Sequence, residues 1–176
     1  MSRYRNFGLF LVLAAVWGSA FMAIKAGLSY FPPVPFAAIR YDIAGVFMLG
    51  YALYATDRWL PRERAEVALV SVGGVMIIAG YHTFLFVGEQ YTTSAVAAVI
   101  VSLSPILTTG FARLFLPSES LTFKGVIGLL LGLVGVGILA HPDPSNLLTS
   151  DIVGKAIVLG APVCFALGSV LTRRVE

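Results

Sequence analysis

The sequence predicts an all-α fold, a polytopic transmembrane helix bundle, on three observations. First, 58% of the 176 residues are hydrophobic and 12% are charged, with a mean hydropathy of +0.89. A soluble domain carries about a quarter charged residues, because its surface meets water. Second, the apolar residues gather in six runs of membrane length, and about 20 helical residues cross about 30 Å of hydrocarbon. Third, prolines and charges collect in the short stretches between the runs. Lipid offers the backbone no hydrogen-bond partner, so each run must be a helix, and the alternating strands of a membrane barrel are absent from the sequence.

The first run is Phe7–Leu28. Arg3 and Arg5 precede it, and Gly18-Ser19-Ala20 resembles a signal-peptide cleavage site, but the apolar stretch continues and five more runs follow, which favours a span. Tyr30–Pro33 turns the chain into the second run, Val34–Tyr54, its prolines stopping one helix and starting the next. The segment from Ala55 to Glu66 is strongly charged, with Asp57, Arg58, Arg62, Glu63, Arg64 and Glu66. The third run, Val67–Val87, ends at the turn Gly88-Glu89-Gln90, where Glu89 is expected as a solvated helix end. The fourth, Thr92–Phe115, carries Pro105 mid-span, which removes one backbone hydrogen bond and predicts a kink. Leu116–Leu121, with Pro117, leads to the fifth run, Phe123–Ala140. Its Gly128 and Gly132 have small-residue packing spacing, which favours packing within the bundle over dimerisation. His141–Asp151, with Pro142 and Pro144, precedes the sixth run, Ile152–Leu171.

The positive-inside rule sets the orientation. Arg3, Arg5, Arg58, Arg62, Arg64, Arg113, Lys124, Arg173 and Arg174 fall on the N-terminal side, against Lys155 and the intramembrane pair Lys25 and Arg40. The N-terminus is therefore expected in the cytoplasm of a cell (inner or plasma) membrane protein. Trp59, Tyr51 and Tyr54 suit the inner interface, and Tyr30, Phe31, Tyr81 and Tyr91 the outer one.

A weak internal repeat places Trp17-Gly18 on Phe165-Ala166 and Lys25 on Arg173. Residues 1–145 would then form a first repeat of five spans, and 150–176 the start of a second. An odd number of spans inverts the second copy, a hallmark of secondary transporters.

Lys25 and Arg40 are two cations inside apolar helices, which hydrocarbon penalises by a few kcal/mol each, so they are expected to face a polar interior. Lys25 lies near its helix end, where snorkelling to the interface is the alternative. Arg40 lies about six residues, roughly 9 Å, into its helix, where snorkelling is harder. Together they suggest attraction for an anionic group or neutralisation by a nearby acid. Asp42, the only acid expected within a span, does not share a face with Arg40. It stands between two readings, a structural ion pair with Lys25 or another helix's donor and a proton-coupling carboxylate. His82 is a candidate for charge change near neutral pH or a hydrogen-bonded structural histidine. Trp17, Phe21 and Lys25 form a one-turn stripe that suits either a cavity wall or packing. Tyr81 adds an aromatic beside His82.

Other function classes find little support. The basic residues sit in short loops and form no stripe with interleaved aromatics, which argues against nucleic-acid binding. The single cysteine, Cys164, lies in an apolar run, without metal-ligand spacing or a disulfide partner in the chain. His82 and His141 are too far apart for a zinc helix motif, Ser102 and Ser104 lack a base at suitable spacing, and Glu119 and Asp143 fall on opposite membrane sides. The glycine-rich fifth run lacks the strand and Lys context of a phosphate loop. No enzyme activity, cofactor or metal is expected.

Trp17-Gly18-Ser19-Ala20-Phe21, Lys25, Pro32-Pro33 and Arg40, in that order, resemble the opening of EamA-type members of the drug/metabolite transporter superfamily. Tyr91-Thr92-Thr93-Ser94-Ala95, Pro105, Glu119-Ser120-Leu121-Thr122 and Gly125–Gly137 fit the same pattern, although Ser118 stands where a glycine is common. The resemblance implies a transporter of two inverted five-helix repeats that exports or exchanges small metabolites through a central cavity. This sequence holds one repeat plus one helix, which implies a missing C-terminal repeat or a homodimer of short chains. The expectation is therefore a secondary transporter of a small polar metabolite working by alternating access in the lipid bilayer, with Trp17, Lys25, Arg40, Asp42, Tyr81 and His82 at the substrate. A non-transporting truncated module or assembly subunit is the alternative.

Overall fold

The computed structural model describes residues 3–57, 59–116, 122–140 and 150–175. Within them the chain forms six helices and no strand: α1 (Arg3–Gly27), α2 (Pro33–Ala55), α3 (Arg64–Glu89), α4 (Ser94–Phe115), α5 (Phe123–Ala140) and α6 (Ser150–Val175). Five of them, all but α5, are long and apolar enough to cross a membrane, and α5 is an apolar helix of 18 residues. All six predicted runs are therefore helices. Pro117, Ser118, Glu119, His141, Pro142, Asp143 and Pro144, like Arg58, lie outside the described residues.

Local chemistry explains the ends. Pro33 occupies the first turn of α2, where its missing N–H costs nothing. At the start of α3, Glu63 and Glu66 form a reciprocal capping box, with Glu66 Oε2 accepting from the Glu63 amide at 3.2 Å. The Thr93 hydroxyl accepts from Val96 N–H at 3.3 Å and caps α4.

Two helices depart from regular α geometry. The middle of α3, Gly73–Gly80, is π-helical, an irregularity that sequence periodicity does not reveal. In α4 the helix breaks at Ser102 and Leu103, just before Pro105. This is the expected kink, and its cause is visible. Pro105 has no N–H for the Val101 carbonyl, and the Ser104 hydroxyl donates to that carbonyl instead, at 2.6 Å.

The core sits on α6. Of its most apolar stretch 33% is buried, against 6% for α1 and for α2. Val158, Ala161, Ala166 and Val170 are fully buried against α3 and α4. Small residues permit this approach. A Cβ on Gly88 would lie 2.8 Å from the Val158 amide nitrogen, and one on Gly154 would lie 2.7 Å from Tyr91 Cβ, so α3 and α6 cross almost backbone to backbone. In α5, Gly132 lies against the Ile106 side chain, as small-residue packing requires, whereas Gly128 faces open space. The outward faces of α1 and α2 expose Val12, Val16, Met22, Val46 and Phe47, which suits lipid contact.

Candidate functional site: a cavity between helices

A cavity of about 820 Å³ lies among α1, α2, α3, α4 and α6. From α1 it is lined by Trp17, Phe21 and Ile24, from α2 by Arg40 and Tyr41, and from α3 by Ile77, Ile78, Tyr81, His82 and Leu85. From α4 it receives Ser102, Ser104, Pro105, Thr108 and Thr109, and from α6 Phe165. Both irregular segments, the π turn of α3 and the break of α4, therefore contribute to its wall. Unwound or broken helices at membrane depth are tolerated where they line such a space.

Four of the six expected site residues converge here: Trp17, Arg40, Tyr81 and His82. Trp17 lines the space yet keeps 60% of its surface exposed. The Arg40 guanidinium lies over the rings of Phe36 and Phe86, at 5.8 and 5.5 Å from their centroids. Its Nη1 is buried and has no hydrogen-bond partner among the described residues. The His82 ring packs against Tyr41 at 4.0 Å and edge-on against Tyr81 at 4.5 Å. His82 Nδ1 lies 2.7 Å from the Ile78 carbonyl. A carbonyl only accepts, so Nδ1 carries the proton and, in the neutral ring, Nε2 is left as an acceptor.

The other two expected residues lie outside the lining. Asp42 is exposed on α2. Lys25 points elsewhere. Its ammonium donates to the Thr92 carbonyl at 2.7 Å and to the Glu89 carbonyl. The last carbonyls of a helix have no partner of their own and form the negative end of its dipole, so Lys25 caps α3 from α1. Ser94 Oγ donates to the Phe21 carbonyl at 3.2 Å, a second tie between α1 and the start of α4.

Glu89 corrects the expectation of a solvated helix end. Its side chain is fully buried, α3 runs through it, and neither carboxyl oxygen has a hydrogen-bond partner among the described residues. Asp42 is thus not the sole acid within a span. The charge of Lys25 acts on this carboxyl.

Sequence reading passed over Tyr41, the Ser102–Thr109 polar stripe and Phe165 as lining. The stripe had a signal, four hydroxyls clustered around a mid-span proline. Among the described residues no three metal-ligating side chains cluster.

The EamA-like transporter family model matches residues 6–140, which take in five of the six helices and every cavity residue except Phe165. The chain belongs to the EamA-like transporter family. An "Uncharacterized transporter" of Archaeoglobus fulgidus is 32% identical over 152 residues, 86% of this chain and 51% of its own length. The "Uncharacterized inner membrane transporter YedA" of Escherichia coli K12 is 28% identical over 170 residues, 96% of this chain and 53% of its own. The "Uncharacterized transporter YvbV" of Bacillus subtilis is 30% identical over 166 residues, 94% of this chain and 53% of its own. The chain thus spans about half the length of the curated relatives it matches. No solved structure matches it. This EamA-family chain is a multi-pass membrane protein, with five helices long and apolar enough to cross a membrane.

Proposed function

We propose that the protein is a secondary transporter that exports or exchanges a small polar metabolite by alternating access, with the cavity as its substrate site. The observation that carries this reading is the convergence of Arg40, His82, Tyr81 and Trp17 from three helices onto one space of about 820 Å³ in a transporter-family chain. That volume suits a metabolite, since small-molecule sites run from about 300 to 1,000 Å³. The broken α4 and the π turn of α3 supply backbone that can rearrange as the site alternates. Lys25 and Asp42 stand apart from the substrate, Lys25 as a fastening between helices.

In this reading residues 1–145 form one repeat and 150–176 open a second, inverted one. The opposite wall comes from a C-terminal repeat or a second copy, as the half-length match to relatives suggests. The membrane is the inner or plasma membrane, a reading supported by the inner-membrane relative YedA, with the N-terminus in the cytoplasm. The protein carries out no chemical step on what it moves.

The test is export by the complete protein. Cells expressing it and cells expressing an empty vector are compared for metabolites in the medium by mass spectrometry, and the changed compound is then followed in vesicles with and without a pH gradient. Accumulation of at least one small polar compound supports the reading. Identical media at verified membrane abundance contradict it and favour a non-transporting assembly module.

A further inference from the structure

The cavity is a selective site for one sign of charge and one shape of ligand: we infer that it takes an organic monoanion, a single carboxylate on an apolar or aromatic body. This rests on the cavity being the substrate site.

Charge selectivity starts with the lining. Among the described residues Arg40 is the only Lys or Arg lining the cavity, and no Asp or Glu lines it. Lys25, which sequence pairs with Arg40, is engaged with the Glu89 and Thr92 carbonyls and adds nothing to the site. Arg40 makes ring contacts with Phe36 and Phe86, which balance its charge without accepting a hydrogen bond from its N–H groups. Nη1 is left buried, with no partner among the described residues. A buried donor without an acceptor is costly, and a carboxylate in the cavity removes that cost with a charge-assisted bond once the guanidinium turns from the rings to meet it.

The wall that the described helices supply carries one Lys or Arg side chain, and so balances one negative charge. Ser102 Oγ donates to the Val99 carbonyl at 2.6 Å, Ser104 Oγ to Val101 at 2.6 Å, and Thr109 Oγ1 to Pro105 at 2.7 Å. A hydroxyl has one proton, so these three oxygens face the cavity only as acceptors. They can receive a ligand's N–H or O–H, and Thr108, Tyr41, Tyr81 and Trp17 keep donors of their own, but none of these groups carries a charge to balance a second carboxylate or a phosphate dianion. Trp17, Phe21, Tyr81 and Phe165 form the apolar remainder and suit a ring or alkyl body.

Three probes with one body separate these properties: phenylacetate, phenylacetamide and phenylmalonate. Trp17 and Trp59 are the tryptophans of these 176 residues, so Trp59→Phe, with any tryptophan beyond them also replaced, leaves Trp17 as the fluorescent reporter on the cavity wall. In lipid nanodiscs, phenylacetate is expected to bind about tenfold more tightly than the amide, as one charge-assisted hydrogen bond implies. Phenylmalonate should bind no more tightly than phenylacetate. Arg40→Gln should abolish the preference for the anion, with an unfolding midpoint close to the parent's showing that the variant is folded. The inference is overturned if amide and anion bind equally, if phenylmalonate binds more tightly than phenylacetate, or if the preference survives Arg40→Gln. In those cases binding itself still stands, and with it the cavity as a site. If none of the three probes perturbs Trp17, the inference and the cavity reading fail together.

Discussion

The Lys25 ammonium, at the end of α1, donates to the backbone carbonyl of Thr92 at 2.7 Å, 67 residues further along the chain. A cation that looks in sequence like half of a binding site is thereby the fastening of one helix end to the next pair. With the Glu89 carbonyl as its second acceptor, it holds α1 against the turn between α3 and α4.

Lys25→Met should therefore destabilise the bundle. It removes hydrogen bonds from a charged donor, leaves two carbonyls without it and takes away the cation acting on buried Glu89, a loss of about 1.5 to 3 kcal/mol. Thermal unfolding in detergent should show a lower midpoint, with Lys25→Arg closer to the parent. An unchanged midpoint for Lys25→Met would show that the carbonyl contacts contribute little.

The break in α4 couples Ser104 to Pro105. Ser104→Ala alone leaves the Val101 carbonyl unpaired and should cost about 1 kcal/mol. In a Pro105→Ala background the restored N–H takes over that carbonyl, so the same Ser104→Ala change should cost almost nothing. A double-mutant cycle on unfolding reads this directly, and additive effects would contradict the account of the kink.

Glycine positions divide by what surrounds them. At Gly88 an alanine Cβ meets Val158 and Gly154 of α6, so Gly88→Ala should cost about 1 to 3 kcal/mol. At Gly128 nothing lies within 4 Å, and Gly128→Ala should be neutral or gain up to about 1 kcal/mol from helix propensity. Unfolding midpoints that moved in the opposite order would invalidate the α3–α6 contact.

Much of this arrangement is legible in the sequence. Apolar run length marks all six helices because lipid leaves the backbone one solution. Trp17, Arg40, Tyr81 and His82 stand out as polar or aromatic groups in apolar helices, and they do converge. Two placements differ from the sequence reading for one cause. Lys25 and Glu89 both sit at helix ends, where a solvated charge and a buried one look identical in sequence. Only the approach of α6 at Gly88 and Gly154, and the docking of α1 on the α3–α4 turn, decide between them. Asp42 likewise reads as an intramembrane acid, yet the rotation of α2 that turns Arg40 inward leaves Asp42 exposed. The π segment Gly73–Gly80 has no periodic signature, although glycines bound it.

Arg40 and the cavity around it are central, as the groups proposed to handle the transported solute. The most direct measurement is export by the complete protein carrying Arg40→Ala, normalised to membrane abundance. Transport should fall by about tenfold or more, since a charge-assisted contact to substrate is worth at least that factor, while abundance stays at the parental level. Equal transport at equal abundance would contradict the proposal and remove Arg40 from the site.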